Sequence, residues 1–196
     1  MPHDHRPTRT PVENAGYDTF VVNLRNAHAL EKQVIAVLEA QLKQVTAYPD
    51  LHLRLTQHLA ETHHQVDRLQ ATLEACGEAP SLFKDTLLSV MGISQSSMQG
   101  LSDDAVLKAI AADTMTEHLE IATYRSLILL ARLAGRPELC AQLEESLQEE
   151  LAMAAWFDQN LDQITRRYIE MKAADQAPPA NPAPRADNHP HRPSNI

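Results

Sequence analysis

The 196-residue sequence is poor in several residue types that mark particular classes of protein. It contains only 5 glycines, and aromatic residues make up 4% of the chain. Together with an abundance of Ala, Leu, Glu and Gln, this favours helices over strands. No glycine-rich phosphate loop is present, which argues against a nucleotide-binding enzyme. Two cysteines, Cys76 and Cys140, are too few for a disulfide framework and indicate ordinary thiols in a reducing cytoplasm.

Charge and hydropathy exclude two further classes of partner. The formal net charge is −9 and no long basic run occurs, so nucleic acid is not an expected partner. No segment carries 18 uncharged apolar residues, so we expect no span across a bilayer. The first residues lack the apolar stretch of a secretory signal. These features predict a cytoplasmic protein that binds neither nucleic acid nor membrane.

The prolines and glycines divide the chain into helices. Of 12 prolines, only Pro49, Pro80 and Pro137 lie between the two ends of the chain. Proline fits the first turn of a helix and breaks its interior, whereas Gly77 and Gly135 are typical of residues just past a helix end. The pattern predicts four long helices, each about 40 Å in length. They span residues 19–47, 50–76, 103–134 and 137–172.

The connections predict how these helices are arranged. Tight turns make the first and second helices antiparallel, and likewise the third and fourth. The link of residues 77–102 is long enough to run the length of a bundle, and its stretch LFKDTLLSVM predicts a short helix. The sequence therefore predicts an all-α, ferritin-like antiparallel four-helix bundle over residues 18–172, with one long crossover. Residues 1–17 and the proline-rich residues 173–196 are predicted to be disordered tails.

A carboxylate interrupts or flanks the apolar seam near the middle of every predicted helix. These residues are Glu31, Glu61, Glu117 and Glu150. A single glutamate at such a position usually extends to solvent. In a bundle, however, the helix midpoints share one level, and four buried carboxylates without lysine or arginine in the seams need neutralising cations. We therefore expect a site for two divalent metal ions.

The spacing within the helices refines this expectation. Dimetal sites of ferritin-like bundles take a single Glu from each of two helices and a Glu-x-x-His motif from each of the other two. Glu61 and His64 form one such motif, and Glu117 and Glu120 lie three residues apart on the third helix. In the fourth helix, Met153 stands where histidine is expected, and methionine is too soft for iron(II) or manganese(II). Either Glu120 completes the site, or the second metal is weak or missing.

Several stretches resemble the YciE/YciF-type bacterial ferritin-like stress proteins. The likeness covers roughly residues 19–170 and is carried by HLAETHHQVDRL at 58–69, EHLEIATY at 117–124, HALEKQ at 28–33 and LEESLQEE at 143–150. The resemblance implies a ferritin-like bundle with a carboxylate-rich dimetal centre and a link to stress responses. It implies the same four glutamates as ligands, with Gln65 and Glu120 as ligands or as residues supporting them. The sequence departs from the family at Ala154, where an acid is frequent, and this weakens the case for a second metal.

Two further side chains are candidates for supporting the metal ligands, namely His58 and Tyr124. The leading functional prediction is a protein that binds manganese or a di-iron centre and reacts with dioxygen or peroxide. Such a protein would be a ferroxidase or a peroxide-consuming oxidoreductase. The alternative is a non-enzymatic bundle with a degraded site that acts through protein–protein interaction. We also expect a homodimer formed through an outer helical face.

Overall fold

The computed structural model describes residues 10–79 and 104–176, and the described chain is almost entirely helical. The four long helices are α1 (Pro11–Leu42), α2 (Pro49–Ala75), α3 (Ala105–Leu133) and α4 (Cys140–Gln176), and a short 3-10 helix, Pro137–Leu139, leads into α4. The prediction of an all-α bundle of four long helices is confirmed. The short helix predicted in the crossover lies outside the described residues, as do residues 1–9 and 177–196.

The first helix begins earlier than the sequence pattern suggested. Thr10 caps it, because its hydroxyl accepts from the backbone N–H of Glu13 while the Glu13 carboxylate accepts from the N–H of Thr10 at 2.7 Å. Pro11 occupies the first turn, where its missing N–H costs nothing. Residues 11–17, predicted as part of a disordered tail, therefore form the start of α1. Similarly, α4 continues through residues 173–176, which were predicted to belong to the C-terminal tail.

The predicted stop signals after α2 and α3 correspond to left-handed glycines. Gly77 has φ of 73° and Gly135 has φ of 68°, values that L side chains rarely adopt. Behind each glycine a backbone N–H bonds to a carbonyl in the last turn of the helix, from Glu78 to Leu73 at 2.9 Å and from Arg136 to Ala131 at 2.8 Å. This arrangement satisfies carbonyl groups that the end of a helix leaves unpaired.

The helices form a square in which α1 lies beside α2 and α3, and α4 lies beside α3 and α2. Gly16, near the start of α1, lies against the backbone of Leu133 at the end of α3, so these two helices are antiparallel. A bond between Gln163 and Asp50 shows the same for α2 and α4. Hence α2 and α3 run in the same direction. This is the order expected of a ferritin-like bundle with one crossover.

Two apolar clusters form the core and lie at different levels along the bundle. One includes Phe20, Leu73 and Leu127 near the α2–α3 ends. The other includes Leu51, Ile110 and Phe157 near the α1–α2 turn. Buried polar side chains lie between the two clusters in sequence on every helix. In the described part of the chain, no helix is long and apolar enough to cross a membrane.

Candidate metal centre

The polar layer between the two apolar clusters contains a compact group of possible metal ligands. One ligand atom from each of four side chains lies within 4.8 Å of the others, and all four residues are buried. The four are His58 of α2, Glu117 and Glu120 of α3, and Glu150 of α4. Three helices thus direct polar side chains to one point in an otherwise apolar interior, as the seam interruptions predicted for Glu117 and Glu150.

His58 is the contribution of α2 to this group. Its Nε2 lies 3.3 Å from Oε1 of Glu117 and 4.0 Å from Oε2 of Glu150. On the opposite edge of the ring, Nδ1 lies 3.2 Å from Oε2 of Glu61. The imidazole therefore presents one nitrogen to the buried acids and the other to a carboxylate behind it. That is the arrangement in which a carboxylate orients a metal-binding histidine.

The structure does not bring the predicted Glu61 and His64 pair into the group. The Glu61 side chain is 32% exposed and also accepts from Arg54 at 3.0 Å, and the bond with His58 lowers its pKa. His64 is exposed. The expected placement was Glu61 inside and His58 beside it, whereas the structure buries His58 and leaves Glu61 at the edge, because the face of α2 that points inward carries His58, Thr62 and Gln65.

Glu31 of α1 joins the layer through Tyr124 of α3. The Tyr124 hydroxyl donates to Oε1 of Glu31 at 2.7 Å, and both side chains are buried. This places Tyr124 as a direct partner of a predicted ligand. Burial, followed by the negative charge of Glu31, holds the pKa of Tyr124 well above its usual value, so the hydroxyl keeps its proton and remains a donor.

On α4, Glu150 and its neighbour Glu149 have different partners. Gln65 of α2 donates through Nε2 to Oε1 of Glu150 and, at 3.0 Å, to Oε2 of Glu149. Glu149 also receives two bonds from Arg68, at 2.7 and 2.8 Å. Paired guanidinium bonds of this kind hold a carboxylate firmly. Glu149 is thus committed to the α2–α4 contact, whereas Glu150 is fully buried and retains one oxygen without a partner.

Ligand-type atoms without hydrogen-bond partners are concentrated in this layer. Buried polar atoms normally find a partner, since leaving one unpaired costs about 1–3 kcal/mol. Here eight such atoms have none among the described residues. They are Oε2 of Glu31, Oε1 of Gln41, Nε2 of His58, Oε1 of Gln65, Oε2 of Glu117, both carboxylate oxygens of Glu120, and Oε2 of Glu150. The donor set is carboxylate and imidazole, which suits iron(II) and manganese(II).

The protonation of the layer follows from burial and mutual repulsion. Burial raises the pKa of Glu31 to about 7. Burial and the charges of Glu31 and Glu150 hold the pKa of Glu120 well above its usual value, and burial does the same for Glu150. For His58, burial acts to lower the pKa, but the carboxylates of Glu117 and Glu61 raise it to about 10. Without metal, the layer therefore retains protons that a bound cation would displace.

Two features of the layer were not assigned from the sequence. Asp113, one turn before Glu117, accepts from Gln41 of α1 at 2.5 Å, and both are buried. Both lie on the inward faces of their helices, and an amide and an acid at matched levels of neighbouring helices were the signal available in the sequence. Met153 is fully buried in the apolar cluster beside Phe157.

The comparisons with known proteins identify the family. A family model described as "Domain of unknown function (DUF892)" matches residues 17–170. The chain belongs to this family. A relative, the E. coli K12 protein YciF, is 28% identical to this chain over 173 residues. The alignment covers 82% of this chain and 96% of YciF. The resemblance to YciE/YciF-type proteins is thereby confirmed.

Solved structures of similar proteins have the same fold as this DUF892 chain. A protein from Xanthomonas campestris pv. campestris has a TM-score of 0.69 and 29% identity, covering 81% of this chain and 99% of its own. The crystal structure of the E. coli stress protein YciF has a TM-score of 0.65 and 26% identity, covering 76% of this chain and 96% of its own. The similarity thus extends over nearly the full length of both relatives.

Proposed function

We propose that this protein is a ferritin-like carboxylate protein that binds iron or manganese and reacts with dioxygen or peroxide in a bacterial stress response or in iron handling. The observation that carries the proposal is the set of unpartnered, buried ligand atoms in one layer of the bundle. Four carboxylates without an adjacent lysine or arginine call for cations. We further propose that the protein is cytoplasmic and acts as a homodimer.

The assigned ligands are Glu31, His58, Glu117, Glu120 and Glu150. Glu117, Glu120, Glu150 and His58 suffice for one ion, since their ligand atoms lie within 4.8 Å of one another. Glu31 and Glu120 are the residues that would hold a second ion. Two such ions would carry four positive charges, which matches the four carboxylates. Glu61 is assigned the role of orienting His58 rather than of a ligand.

The protein's own groups supply binding and protons. Bound iron(II) or manganese(II) would provide the electrons for reducing dioxygen or peroxide. Glu31, Glu120 and Glu150 hold protons in the metal-free layer because burial raises their pKa values. The Tyr124 hydroxyl fixes one oxygen of Glu31 and leaves the other available. The apolar clusters on either side of the layer keep bulk water from the reacting centre.

The second candidate function is a bundle with an incomplete site that acts by binding a partner. It is favoured by Met153 and Ala154 on α4, both buried and neither able to bind a hard metal. Hydrogen bonds also occupy one oxygen of Glu31 and one of Glu150, so a metal ion would compete with Tyr124 and Gln65 for these atoms.

Metal loading of the tag-free full-length chain separates the two candidates. Anaerobic titration with iron(II) or manganese(II), followed by metal analysis after desalting, is expected to give up to two ions per chain, and the iron form is expected to consume peroxide. Glu31→Gln should reduce the bound metal. Glu39→Gln is the matched control on the same helix, because Glu39 is exposed. Absence of retained metal in the parent would favour the second candidate.

A further inference from the structure

The boundary between α2 and α4 is bridged by hydrogen bonds at separate levels and is open between them. At one level Gln65 donates to Glu149 at 3.0 Å, and at another Gln163 donates to Asp50 at 3.3 Å. Among the described residues, no side-chain hydrogen bond joins α4 to the part of α2 between Asp50 and Gln65, a stretch of roughly 20 Å. A groove of about 550 Å³, lined by the start of α2 and by α4 from Trp156 onward, opens beside this stretch.

Arg54 and Glu61 lie on the α4 side of α2, inside the open stretch. They share one side of the helix with Gln65 and Arg68, which bond to α4, because the steps between the four residues are seven, four and three. The Glu61 side chain is 32% exposed, and its Oε2 accepts from Arg54 at 3.0 Å and lies 3.2 Å from Nδ1 of His58. Among the described residues, no hydrogen bond uses its other oxygen, Oε1, which leaves that atom available to a cation from solvent.

This stretch contains a polar path from solvent to the buried acids. A divalent cation needs a polar ligand at each step into the bundle, because an apolar layer cannot replace its hydration shell. Glu31 offers no such step to the surface, since its partner Tyr124 is fully buried. His58 does, because its Nε2 lies 3.3 Å from Oε1 of Glu117 while its Nδ1 faces the partly exposed Glu61. The imidazole therefore separates a carboxylate at the surface from the carboxylates inside.

A second polar path, through Gln65 to Glu149, is closed more firmly. Glu149 accepts two bonds from Arg68, at 2.7 and 2.8 Å, and such a pair holds a carboxylate in place. Gln65 also turns its amide N–H groups toward this path, and their positive ends repel a cation. Arg54 makes a single bond to Glu61, so Glu61 is the carboxylate that an arriving cation can reach at the lower cost.

We propose that Glu61, besides orienting His58, is the entry site for the metal ion, with Arg54 as the counter-ion that the cation displaces and His58 as the side chain that moves aside. The inference rests on the proposed metal-binding function. When Glu61 binds a cation, Nδ1 of His58 loses its partner, and the imidazole is free to turn and open the way to Glu117. Arg54 pairs with Glu61 both before and after uptake, so its removal should change the rates of uptake and release by the same factor and leave the Kd unchanged.

Stopped-flow uptake of Co(II) by the tag-free full-length chain tests the entry site, read from the visible absorption of bound cobalt. Arg54→Met should raise the rates of uptake and of release to EDTA about tenfold, because one charge-assisted bond no longer has to break, and Arg54→Lys should restore slow exchange. Glu61→Gln should slow uptake about tenfold, since a neutral amide does not attract the cation. Arg68→Met is the matched control on the same side of α2, because the side chains of Arg54 and Arg68 are 11% and 15% exposed, and it should leave the uptake rate unchanged.

Several results would overturn the entry site. They are equal exchange rates in the parent and in Arg54→Met, acceleration by Arg68→Met instead, and a change in Kd without a matching change in uptake. The last result is expected if Arg54 only orients His58 through Glu61.

The parent alone provides a further test that does not depend on the folding of a variant. Its uptake rate should level off as Co(II) concentration rises, because the ion waits at Glu61 until His58 moves, whereas a rate that stays proportional to Co(II) would indicate an open route and overturn the proposal. A parent that retains no Co(II) would refute the metal-binding function and the entry site together. Retained Co(II) with unaltered rates in the Arg54 and Glu61 variants would refute the entry site alone.

Discussion

Replacing Glu120 by leucine is expected to stabilise the metal-free protein and to weaken metal binding. Glu120 is 1% exposed, and both of its carboxylate oxygens lack hydrogen-bond partners. Leaving such a group unpaired costs about 1–3 kcal/mol. Leucine of similar volume removes this cost and adds apolar burial of about 1.5 kcal/mol or more. We expect a gain of about 2–4 kcal/mol in the free energy of unfolding, which corresponds to a rise in Tm on the order of 10 °C for a domain of this size.

Melting curves with and without metal provide the assay. Metal at about 100 times its Kd should stabilise the parent by about 2.7 kcal/mol, and Glu120→Leu should gain much less, because one ligand is missing. Glu39→Leu, at an exposed position of α1, is the control and should change stability by no more than about 0.5 kcal/mol. If Glu120→Leu destabilised the metal-free protein, or kept the full metal-dependent gain, the assignment of Glu120 as a ligand would be refuted.

Three further predictions concern pH, packing and the Tyr124 bond. Without metal, the free energy of unfolding should fall as pH rises from about 4.5 to about 7, because the folded chain holds the Glu31 proton more tightly than the unfolded chain does. It should fall again from about 6.5 to about 10, because the folded chain likewise holds the His58 proton more tightly. A rise in stability over this pH range, measured by urea denaturation, would contradict the prediction. Gly16→Ala should destabilise the fold by about 1–3 kcal/mol, because the added Cβ would lie 3.1 Å from the Leu133 carbonyl. At an open helix position the same substitution stabilises by roughly 1 kcal/mol, and such a gain would argue against the close contact. Tyr124→Phe should lower the free energy of unfolding by about 1–2 kcal/mol without metal, because Glu31 loses its hydrogen-bond donor, and by less with metal. An equal loss of stability in the two denaturation series would count against Glu31 as a ligand.

The helix pattern and the level of the polar layer could be predicted from local signals. Proline and glycine mark the ends of α2 and α3, because the conformations they favour or forbid are properties of a few adjacent residues. The mid-helix position of Glu117 and Glu150 placed both at one level, since antiparallel rods of similar length share their midpoints. The start of α1 was predicted at residue 19, whereas the helix begins at Pro11. The capping box of Thr10 and Glu13 was the signal available there.

The sequence by itself determined that the chain forms four long helices and that each has a carboxylate at or beside its apolar seam, because helix ends and periodicity depend on neighbouring residues. The tertiary structure decided which of these side chains meet. On α2 the seam could be drawn through either His58 or Leu59, and only packing against α1 and α4 turned His58 inward and left Glu61 at the edge with Arg54. The separation of Glu150 from Glu149 likewise depended on Gln65 and Arg68 of another helix, because a rotation of a helix by one residue changes its contacts without altering its local sequence pattern.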